Sequence, residues 1–416
     1  MKGRSQMKNI VIIGAGPAGL MAAITAAGKD KDLKVIIIEK NERPARKLMI
    51  TGKGRCNVTN NCDENTLLLN VPKNGKFLYS AFSNFTPQDV MEFFEKEGVP
   101  LKTERGNRVF PQSDKAVDIV DALVRAAKKS GVKFINGTVK EIICEQDEVR
   151  SVLLQNGEKI YADACLIATG GMSYPLTGST GDGYVMAEKI GHTVTEINPS
   201  LVPLCCHEGF CSHLSGLSLK NVTFSVYEEG KKKPIFKEMG EMLFTHFGVS
   251  GPMPLSSSAY IRHLGKKQYT AFIDLKPALT PEQLDNRILR DFEEQKNKDF
   301  ANSLDKLLPK SLIPVIVKLS GIEGNLKINQ ISREQRRKLC ELLKAFPLHI
   351  TGFRPIEEAI VTSGGISVKE INPATMESKK VKGLFFAGEV IDVDAFTGGF
   401  NLQIAFSTGY LAGLNM

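Results

Sequence analysis

Apolar residues and glycines follow a regular order at the start of the chain. A mostly apolar run, residues 9–13, leads directly into Gly14-Ala15-Gly16-Pro17-Ala18-Gly19, and an alanine-rich helix is predicted to follow as far as Ala27. A second apolar run, residues 35–38, ends at Glu39. This order of strand, glycine turn, helix, strand and acid predicts a dinucleotide-binding βαβ unit.

Each glycine of this turn has its own predicted role. Gly14 makes the tight turn after the strand, and Gly16 lets the backbone approach a pyrophosphate. Gly19 lets the helix lie close to the strand. The N-terminus of that helix offers free N–H groups and a partial positive charge to phosphates. Glu39 is placed to accept hydrogen bonds from a ribose.

The pattern up to about residue 195 switches between helical and strand periodicity. Helical spacing is found over residues 75–97 and 115–130. Strands are predicted over residues 101–103, 108–110, 132–135, 138–143, 149–154 and 164–168. Asn156-Gly157 indicates a hairpin turn. The run at 164–168 is continuously apolar and is followed by glycines, so we expect it to return to the parallel sheet.

After residue 195 the character of the chain changes. Antiparallel strands are predicted over residues 201–206, 219–227 and 269–275. A helix-rich section follows to about residue 346, opened by Thr280 as N-cap and Pro281 at the first helical position. A buried strand then ends near Gly388, and a last helix begins near Phe400.

These elements predict an α/β fold with a Rossmann-like nucleotide-binding domain made from both ends of the chain, residues 1–195 and 350–416. A β-rich insertion, residues 196–278, and a helical insertion, residues 279–349, interrupt that domain.

Composition narrows the class of protein. The chain has 416 residues, of which 42% are apolar and 24% charged, as in soluble globular proteins. No apolar run approaches the ~20 residues of a membrane span, and the first residues lack the apolar core of a signal peptide. We therefore expect a cytoplasmic protein that does not bind membranes. The eight cysteines are scattered and form no C-x-x-C pair, so no metal site is predicted. Because an export signal is not expected, reduced thiols are predicted.

The net charge of +8 is modest for this length. The basic residues form only short clusters, at 231–233 and 333–338. We interpret these clusters as solvated faces rather than as a nucleic-acid-binding surface.

Four glycine-rich segments follow predicted strands, at residues 14–19, 52–54, 170–183 and 388–399. One such loop can be a simple turn, but four indicate a backbone that repeatedly approaches a large ligand. Ala168-Thr169-Gly170 and Phe386-Ala387-Gly388-Glu389 resemble the strand-end motifs of two-motif FAD enzymes. In such enzymes the acid of the second motif binds the ribityl chain or bridges to the pyrophosphate.

Longer strings narrow the resemblance. They are Gly52-Lys-Gly-Arg55-Cys56-Asn57-Val-Thr59-Asn60, Gly170 through Gly183, Leu243 through Pro252, and Gly388 through Gln403. Together they resemble the BaiN/RdsA-like family of NAD(P)/FAD-dependent oxidoreductases, also called the aminoacetone oxidase family, over nearly the whole chain. The resemblance implies an FAD domain with a β-rich and a helical insertion. It does not imply one substrate, because members are associated with reduction of conjugated double bonds and with amine oxidation.

The motifs and the resemblance together predict an FAD site. Its residues are Gly14, Ala15, Gly16, Pro17, Ala18, Gly19, Glu39, Lys40, Gly52, Gly54, Arg55, Cys56, Asn57, Thr59, Val139, Ala168, Thr169, Gly170, Gly171, Gly388, Glu389, Asp392, Asn401 and Leu402. Arg55 has a surface ion pair as its alternative, and Cys56 a packing role. Asp392 and Asp394 can equally order the loop before the last helix.

Flavin chemistry passes a hydride through N5, and negative charge develops at N1 and the C2 carbonyl. The helix that begins near Asn401 is predicted to stabilise that charge with its N-terminus. Its small residues, such as Gly409, also suit close helix packing. For proton transfer we single out His246 and, as a rival, Tyr174; a structural role is the alternative for each.

The predicted function is FAD-dependent oxidation or reduction of a small or medium organic substrate, with NADH or NADPH as a possible transient donor. An amine oxidase that produces hydrogen peroxide, a flavin-dependent nucleic-acid modifier and a redox sensor without turnover are the alternatives. A disulfide reductase is disfavoured, because the chain lacks a redox cysteine pair and a second G-x-G-x-x-G unit. The oligomeric state stays open.

Overall fold

The structure, a computed structural model, describes residues 8–30, 32–261 and 264–416. It divides into two compact units: one holds the residues up to Ser200 together with Ile356–Met416, and the other holds Leu201–Pro355. We call them the cofactor unit and the inserted unit. The boundaries expected after residues 195 and 349 lie a few residues before those of the units. Within the described residues, no helix has the length and apolarity needed to cross a membrane.

Strands and helices are numbered in chain order. The strands are β1 (Lys8–Ile13), β2 (Leu33–Glu39), β3 (Thr59–Asn60), β4 (Leu101–Glu104), β5 (Arg108–Pro111), β6 (Lys133–Asn136), β7 (Val139–Glu145), β8 (Glu148–Leu154), β9 (Lys159–Tyr161), β10 (Ala164–Ile167), β11 (Asn198–Ser200), β12 (Leu204–Cys206), β13 (Ser218–Glu228), β14 (Phe236–Thr245), β15 (Gly248–Ser250), β16 (Tyr269–Asp274), β17 (Phe346–Phe353), β18 (Val361–Ser363) and β19 (Leu384–Phe386). The helices are α1 (Pro17–Lys29), α2 (Arg46–Ile50), α3 (Glu64–Leu69), α4 (Tyr79–Asn84), α5 (Pro87–Lys96), α6 (Ala116–Lys129), α7 (Asp182–Lys189), α8 (Phe210–His213), α9 (Pro252–Ser258), α10 (Pro281–Glu293), α11 (Ile313–Ser320), α12 (Arg333–Lys344) and α13 (Phe400–Asn415).

A five-stranded parallel sheet forms the centre of the cofactor unit, in the order β19-β10-β1-β2-β6. β1 pairs with β2 on one side and with β10 on the other, so that Ile12 lies between Ile37 and Leu166. All three side chains are fully buried, as expected for a parallel sheet covered on both faces. The predicted return of residues 164–168 to this sheet is confirmed.

The helical character predicted over residues 75–97 is confirmed, but it is divided among three elements. A 3₁₀ turn and α4 come first, and α5 begins at Pro87 after Thr86 as N-cap. The Thr86 hydroxyl accepts a hydrogen bond from the Asp89 N–H, and the Asp89 carboxylate accepts one from the Thr86 N–H, which makes a capping box. Proline also disfavours helical backbone at the residue before it, so both signals separate the two helices.

Smaller antiparallel sheets complete the cofactor unit. β3, β5 and β4 form one, and β7, β8 and β9 form another, in which the predicted turn at Asn156-Gly157 joins β8 to β9. β11 pairs with β18 beside the two points where the chain crosses between the units.

The inserted unit contains a closed barrel in the order β12-β15-β14-β13-β16-β17. The helices α10, α11 and α12 lie between β16 and β17 in the chain. The expected division into a β-rich and then a helical segment therefore needs correction, because β17 returns to pair with β16 and β12 after the helices. Residues 350–353, expected in the nucleotide-binding domain, belong to this barrel strand. The sequence of so short a segment does not indicate which strands it pairs with, and the barrel assignment follows only from the pairing seen in the structure.

Helices α1 and α13 approach each other closely through small residues. A Cβ on Gly409 would lie 2.3 Å from the backbone oxygen of Ala18, and one on Gly413 would lie 2.5 Å from that of Ala22. Both distances are far below van der Waals contact, so the backbones meet only because these positions lack side chains. The predicted packing role of Gly409 is confirmed.

We expect Gly409→Ala to destabilise the protein by about 1–3 kcal/mol, because its methyl group would overlap the backbone of α1. Gly28→Ala, in the exposed end of α1 with no atom within 4 Å of its new Cβ, should instead stabilise by about 0.4–1 kcal/mol. Denaturant unfolding of both variants measures the two effects. Equal stability of the two variants would contradict the proposed close contact.

Candidate functional site

The carboxyl ends of four strands meet at one edge of the parallel sheet. Gly14 follows β1, Glu39 ends β2, Ala168 follows β10, and Ala387 follows β19. Because parallel strands run in one direction, the segments after them share this edge, where open α/β sheets bind ligands. Three of the four glycine-rich segments begin here, and the fourth follows α2, the helix after β2.

The three glycines of the first turn differ in what surrounds them. Gly14 has a φ of +102°, and its N–H donates to the Ile38 oxygen at 2.9 Å. A Cβ on Gly19 would lie 2.0 Å from the Gly14 oxygen, so this glycine is required by packing. At Gly16 a Cβ would find its nearest atom, the Ala168 oxygen, 4.0 Å away. Space is therefore open in front of Gly16.

The N-termini of α1 and α13, which follow glycine-rich segments, have no capping hydrogen bond from a side chain of the described residues. α1 begins at Pro17 after Gly16, and α13 begins at Phe400 after Gly399. Neither helix has an acidic residue in its first turn. Their N–H groups and the positive ends of their dipoles are thus left for an anionic ligand or developing negative charge.

Glu39 is tied to the glycine turn by its own hydrogen bonds. One carboxylate oxygen accepts the Ala15 N–H at 2.8 Å, and the other accepts the backbone and side-chain N–H groups of Asn41 at 2.9 and 2.8 Å. Lys40, the next residue, forms an ion pair with Asp182. The turn and the end of β2 are therefore held together before any ribose binds.

The loop at residues 51–57 has an unusual backbone. Gly52, Lys53, Gly54 and Cys56 all have positive φ, at 57°, 60°, 83° and 60°. Positive φ is unfavourable for lysine and cysteine, and such conformations cluster at functional sites. The side-chain oxygen of Asn57 is buried and has no hydrogen-bond partner within the described part of the chain. It is therefore an acceptor available to a ligand N–H or O–H.

The hydroxyl of Thr169, in the segment after β10, is a second such atom, buried and without a hydrogen-bond partner in the described ranges. Unpartnered buried polar atoms are rare in folded proteins, and a ligand is one explanation for them. Both of these residues belong to the predicted FAD site.

Cys56 lies fully buried at the end of this loop. Burial raises the pKa of its thiol to about 12, so the thiol stays protonated and unreactive near neutral pH. This supports the interpretation of Cys56 as a small packing residue.

Arg55 lies in a charged cluster. Its guanidinium donates to the carboxylates of Glu104 and Asp114 and stacks on the ring of Phe110 at 4.2 Å. Glu104 and Asp114 raise the pKa of Arg55, and Arg55 lowers the pKa of Glu104. The pKa of Asp114 is lowered by Lys102 and by Arg55. The ion pair considered for this residue is thus present, and a cofactor contact by Arg55 stays a prediction.

Three other predicted site residues also have protein partners. Thr59 donates to the buried Gln403 at 2.5 Å. The amide of Asn401 bonds the backbone of Ala395, which holds the loop before α13. Asp392 accepts from Lys73 at 2.6 Å. Their roles in cofactor binding stay predictions.

Asp394 lies in the same loop as Asp392 and is also buried. It accepts hydrogen bonds from Ser200 of β11 at 2.7 Å and from Ser363 of β18 at 3.0 Å. Burial raises the pKa of its carboxyl, and the two hydroxyls oppose that rise. This arrangement supports the alternative role for Asp394, the ordering of the loop.

Glu389 receives a concentrated set of donors. The ammonium of Lys47 lies 2.7 and 3.0 Å from its two oxygens, and the Thr362 N–H donates at 2.9 Å. Lys47 also donates to Ser173 at 2.6 Å. Sequence reasoning missed Lys47, Ser173 and Thr362. Neither Lys47 nor Thr362 lies in a quoted string, and Ser173 lies in the Gly170–Gly183 string but carried no predicted role.

The remaining predicted cofactor residues are close-packed. A Cβ on Gly171 would lie 2.4 Å from the Thr362 hydroxyl, and one on Gly388 would lie 2.9 Å from the Cβ of Ala18. Val139 is buried at the start of β7, and Leu402 is partly buried in the first turn of α13.

The two candidate proton donors lie in different units. Tyr174 follows Ser173 in the cofactor unit, with a left-handed φ of 53°. It is half-buried, and burial together with Glu358 raises the pKa of its hydroxyl. His246 is exposed in the turn between β14 and β15 of the inserted unit, with its ring edge-on to Phe247.

Comparison with protein-family models shows which family the chain belongs to. Residues 8–415 match the model described as HI0933-like protein Rossmann domain. The chain belongs to the HI0933-like family. This membership establishes the chain as an FAD-dependent flavoprotein oxidoreductase with a Rossmann-like fold and confirms the family suggested by its motifs.

Several proteins similar to this chain align with it over almost their entire length. A 3-dehydro-bile acid delta(4,6)-reductase of Clostridium scindens is 30% identical over 412 residues, 98% of each chain. Ribosomal RNA dihydrouridine synthases of Escherichia coli and Haemophilus influenzae are 31% and 32% identical, over 96% and 99% of each chain.

The residues of the HI0933-like chain fit FAD. Open space at Gly16 in front of an uncapped helix suits a diphosphate, and the buried oxygen of Asn57 suits a ligand donor. The open edge of the sheet lies where dinucleotides bind in this fold.

Gly16→Val is expected to remove FAD and leave the protein folded, because the new side chain meets open space rather than protein atoms. Flavin absorbance per chain and the unfolding midpoint of the apoprotein measure the two effects. Gly16→Ala, with one methyl group, should retain more FAD than the valine variant. A folded Gly16→Val protein with one FAD per chain would show that the phosphates lie elsewhere.

Proposed function

We propose that this flavoprotein reduces a carbon–carbon double bond conjugated with a carbonyl group. The proposal rests on the chemistry shared by relatives that align over nearly the whole chain. One is named for reduction of delta(4,6) bonds in a 3-dehydro-bile acid, and others for making dihydrouridine. A 3-oxo group is conjugated with the first set of double bonds, and the C4 carbonyl of uracil with its C5=C6 bond.

Such a reduction adds a hydride to the carbon β to the carbonyl and a proton to the α carbon. FAD, when bound, supplies the hydride from its reduced ring. The reduced ring would carry negative charge at N1 and the C2 carbonyl. The uncapped N-terminus of α13 is our candidate for the group that stabilises this charge. No acidic residue in its first turn opposes it.

Tyr174 and His246 are the proposed proton donors. The raised pKa of Tyr174 keeps its hydroxyl protonated at neutral pH, as a donor requires. Its neighbour Ser173 is fixed by Lys47, so the backbone that carries Tyr174 is held beside the Glu389 cluster. His246 lies in the turn of a tight hairpin, and histidine is the usual acid–base group near neutral pH.

A nicotinamide cofactor is the proposed source of electrons. The chain carries one G-x-G-x-x-G unit of the strand–turn–helix type, at residues 14–19. We infer that NADH or NADPH binds transiently, without a Rossmann domain of its own.

A small or medium organic substrate is our first candidate, and RNA is the second. The distribution of charged residues along the chain is the observation that supports RNA as a candidate. Residues 201–355 contain 23 Lys and Arg against 16 Asp and Glu, whereas the rest of the chain contains 31 against 30. Almost the whole net positive charge thus lies in the inserted unit, and polyanions are attracted to such a surplus.

Anaerobic half-reactions test the reaction itself. We expect NADH or NADPH to bleach the flavin absorbance of the holoprotein, and a conjugated enone to restore it with formation of the saturated ketone. Uridine-containing RNA, amines and oxygen are the parallel substrates. Salt-sensitive reoxidation by RNA with formation of dihydrouridine would assign the RNA substrate. Bleaching by amines followed by hydrogen peroxide release in air would contradict the reductase proposal.

The pH dependence of flavin reoxidation distinguishes the two donors. With Tyr174 as donor the rate should be flat between about pH 6 and 9, because its raised pKa keeps it protonated throughout. A fall in rate within this range would exclude Tyr174 as the donor. Removing the true donor should cost about 10²–10⁴-fold and leave FAD content unchanged. The two variants to compare are Tyr174→Phe and His246→Ala, and each serves as the control for the other. If both variants reoxidise at the parental rate, neither residue is the proton donor.

A further inference from the structure

Lys47 connects segments that follow three different strands of the parallel sheet. Lys47 itself lies in α2, after β2. Its ammonium contacts Ser173, in the segment after β10, and Glu389, in the segment after β19. Three donor–acceptor distances of 2.6, 2.7 and 3.0 Å surround this one group.

The contacts are protected from solvent. The Lys47 and Glu389 side chains are each 20% exposed, so water screens their attraction only in part. Glu389 Oε1 also accepts the Thr362 N–H, and the Thr362 hydroxyl accepts the N–H of Met172 at 2.8 Å. The carboxylate is therefore held from two sides, by Lys47 and by the strand β18.

We propose that Lys47 is a positioning residue for FAD, which fixes the carboxylate of Glu389 and the hydroxyl of Ser173 at the edge of the sheet where the cofactor binds. Without the ammonium, a largely buried carboxylate would lack its counter-ion and would turn toward water. This change has to be reversed when FAD binds, so affinity falls. The proposal rests on FAD binding alone and is independent of the substrate and of the reaction.

FAD titration of apoprotein tests the proposal without any turnover. The variants are Lys47→Met, Glu389→Gln and the double variant, with quenching of flavin fluorescence as the readout. Because Lys47→Met loses a charge-assisted contact, we expect its dissociation constant for FAD to rise about 10- to 100-fold. Because Lys47 acts in part through Glu389, the loss in the double variant should be smaller than the sum of the two single losses.

Lys382→Met is the matched control. Lys382 is also paired with a glutamate, Glu148 at 2.8 Å, but it precedes β19 at the opposite end of the strand. This control should keep the parental affinity for FAD. The unfolding midpoint of the apoprotein is measured for all variants, because a merely structural role would lower the Lys47→Met midpoint without a selective loss of FAD affinity.

Three results would overturn the proposal: parental FAD affinity in Lys47→Met, losses that add in the double variant, or an equal loss in Lys382→Met. Should Lys47→Met fail to fold, Ser173→Ala replaces it, since this change removes only one of the contacts. Parental affinity in a folded Ser173→Ala protein would then count against the proposed role.

Discussion

The parallel hydrogen-bond ladder through β1 is the interaction on which the cofactor unit depends. It places the ends of β2, β10 and β19 at one edge, and the Gly14 N–H continues it by donating to Ile38. The central strands of the sheet are buried on both faces, and α1 and α13 lie against each other at a distance that only glycine permits at Gly409. Position and orientation of both helix N-termini follow from this packing.

The charges at this edge are arranged asymmetrically. The carboxylates of Glu39 and Glu389 are already held by protein donors, Ala15 and Asn41 for the first, Lys47 and Thr362 for the second. The N-termini of α1 and α13, in contrast, are left uncapped by the described side chains. Such an edge attracts the anionic diphosphate of FAD, since its acids are neutralised or anchored and its dipoles are not.

Sequence motifs predicted well which segments form this edge of the sheet. They predicted less well which contacts the side chains of those segments make. The glycine turn at 14–19 and the strand at 164–168 are where the pattern placed them. Arg55 and Asn401, assigned to the cofactor by motif, have side chains bound to Glu104 and Ala395. A motif specifies a backbone path, but the direction of a long polar side chain depends on neighbours that the motif does not contain.

By itself, the sequence determined the features that depend on nearby residues: the βαβ unit, the N-cap at Thr280 and the family-specific strings. These are encoded within a few positions, since a turn or a cap is made by adjacent backbone. Tertiary structure alone decided contacts between distant segments. Lys47 meets Glu389 across 342 positions, and β17, which three helices separate from β16, closes the barrel with β12. Such contacts depend on where the whole fold places two backbones, and no local pattern carries that information.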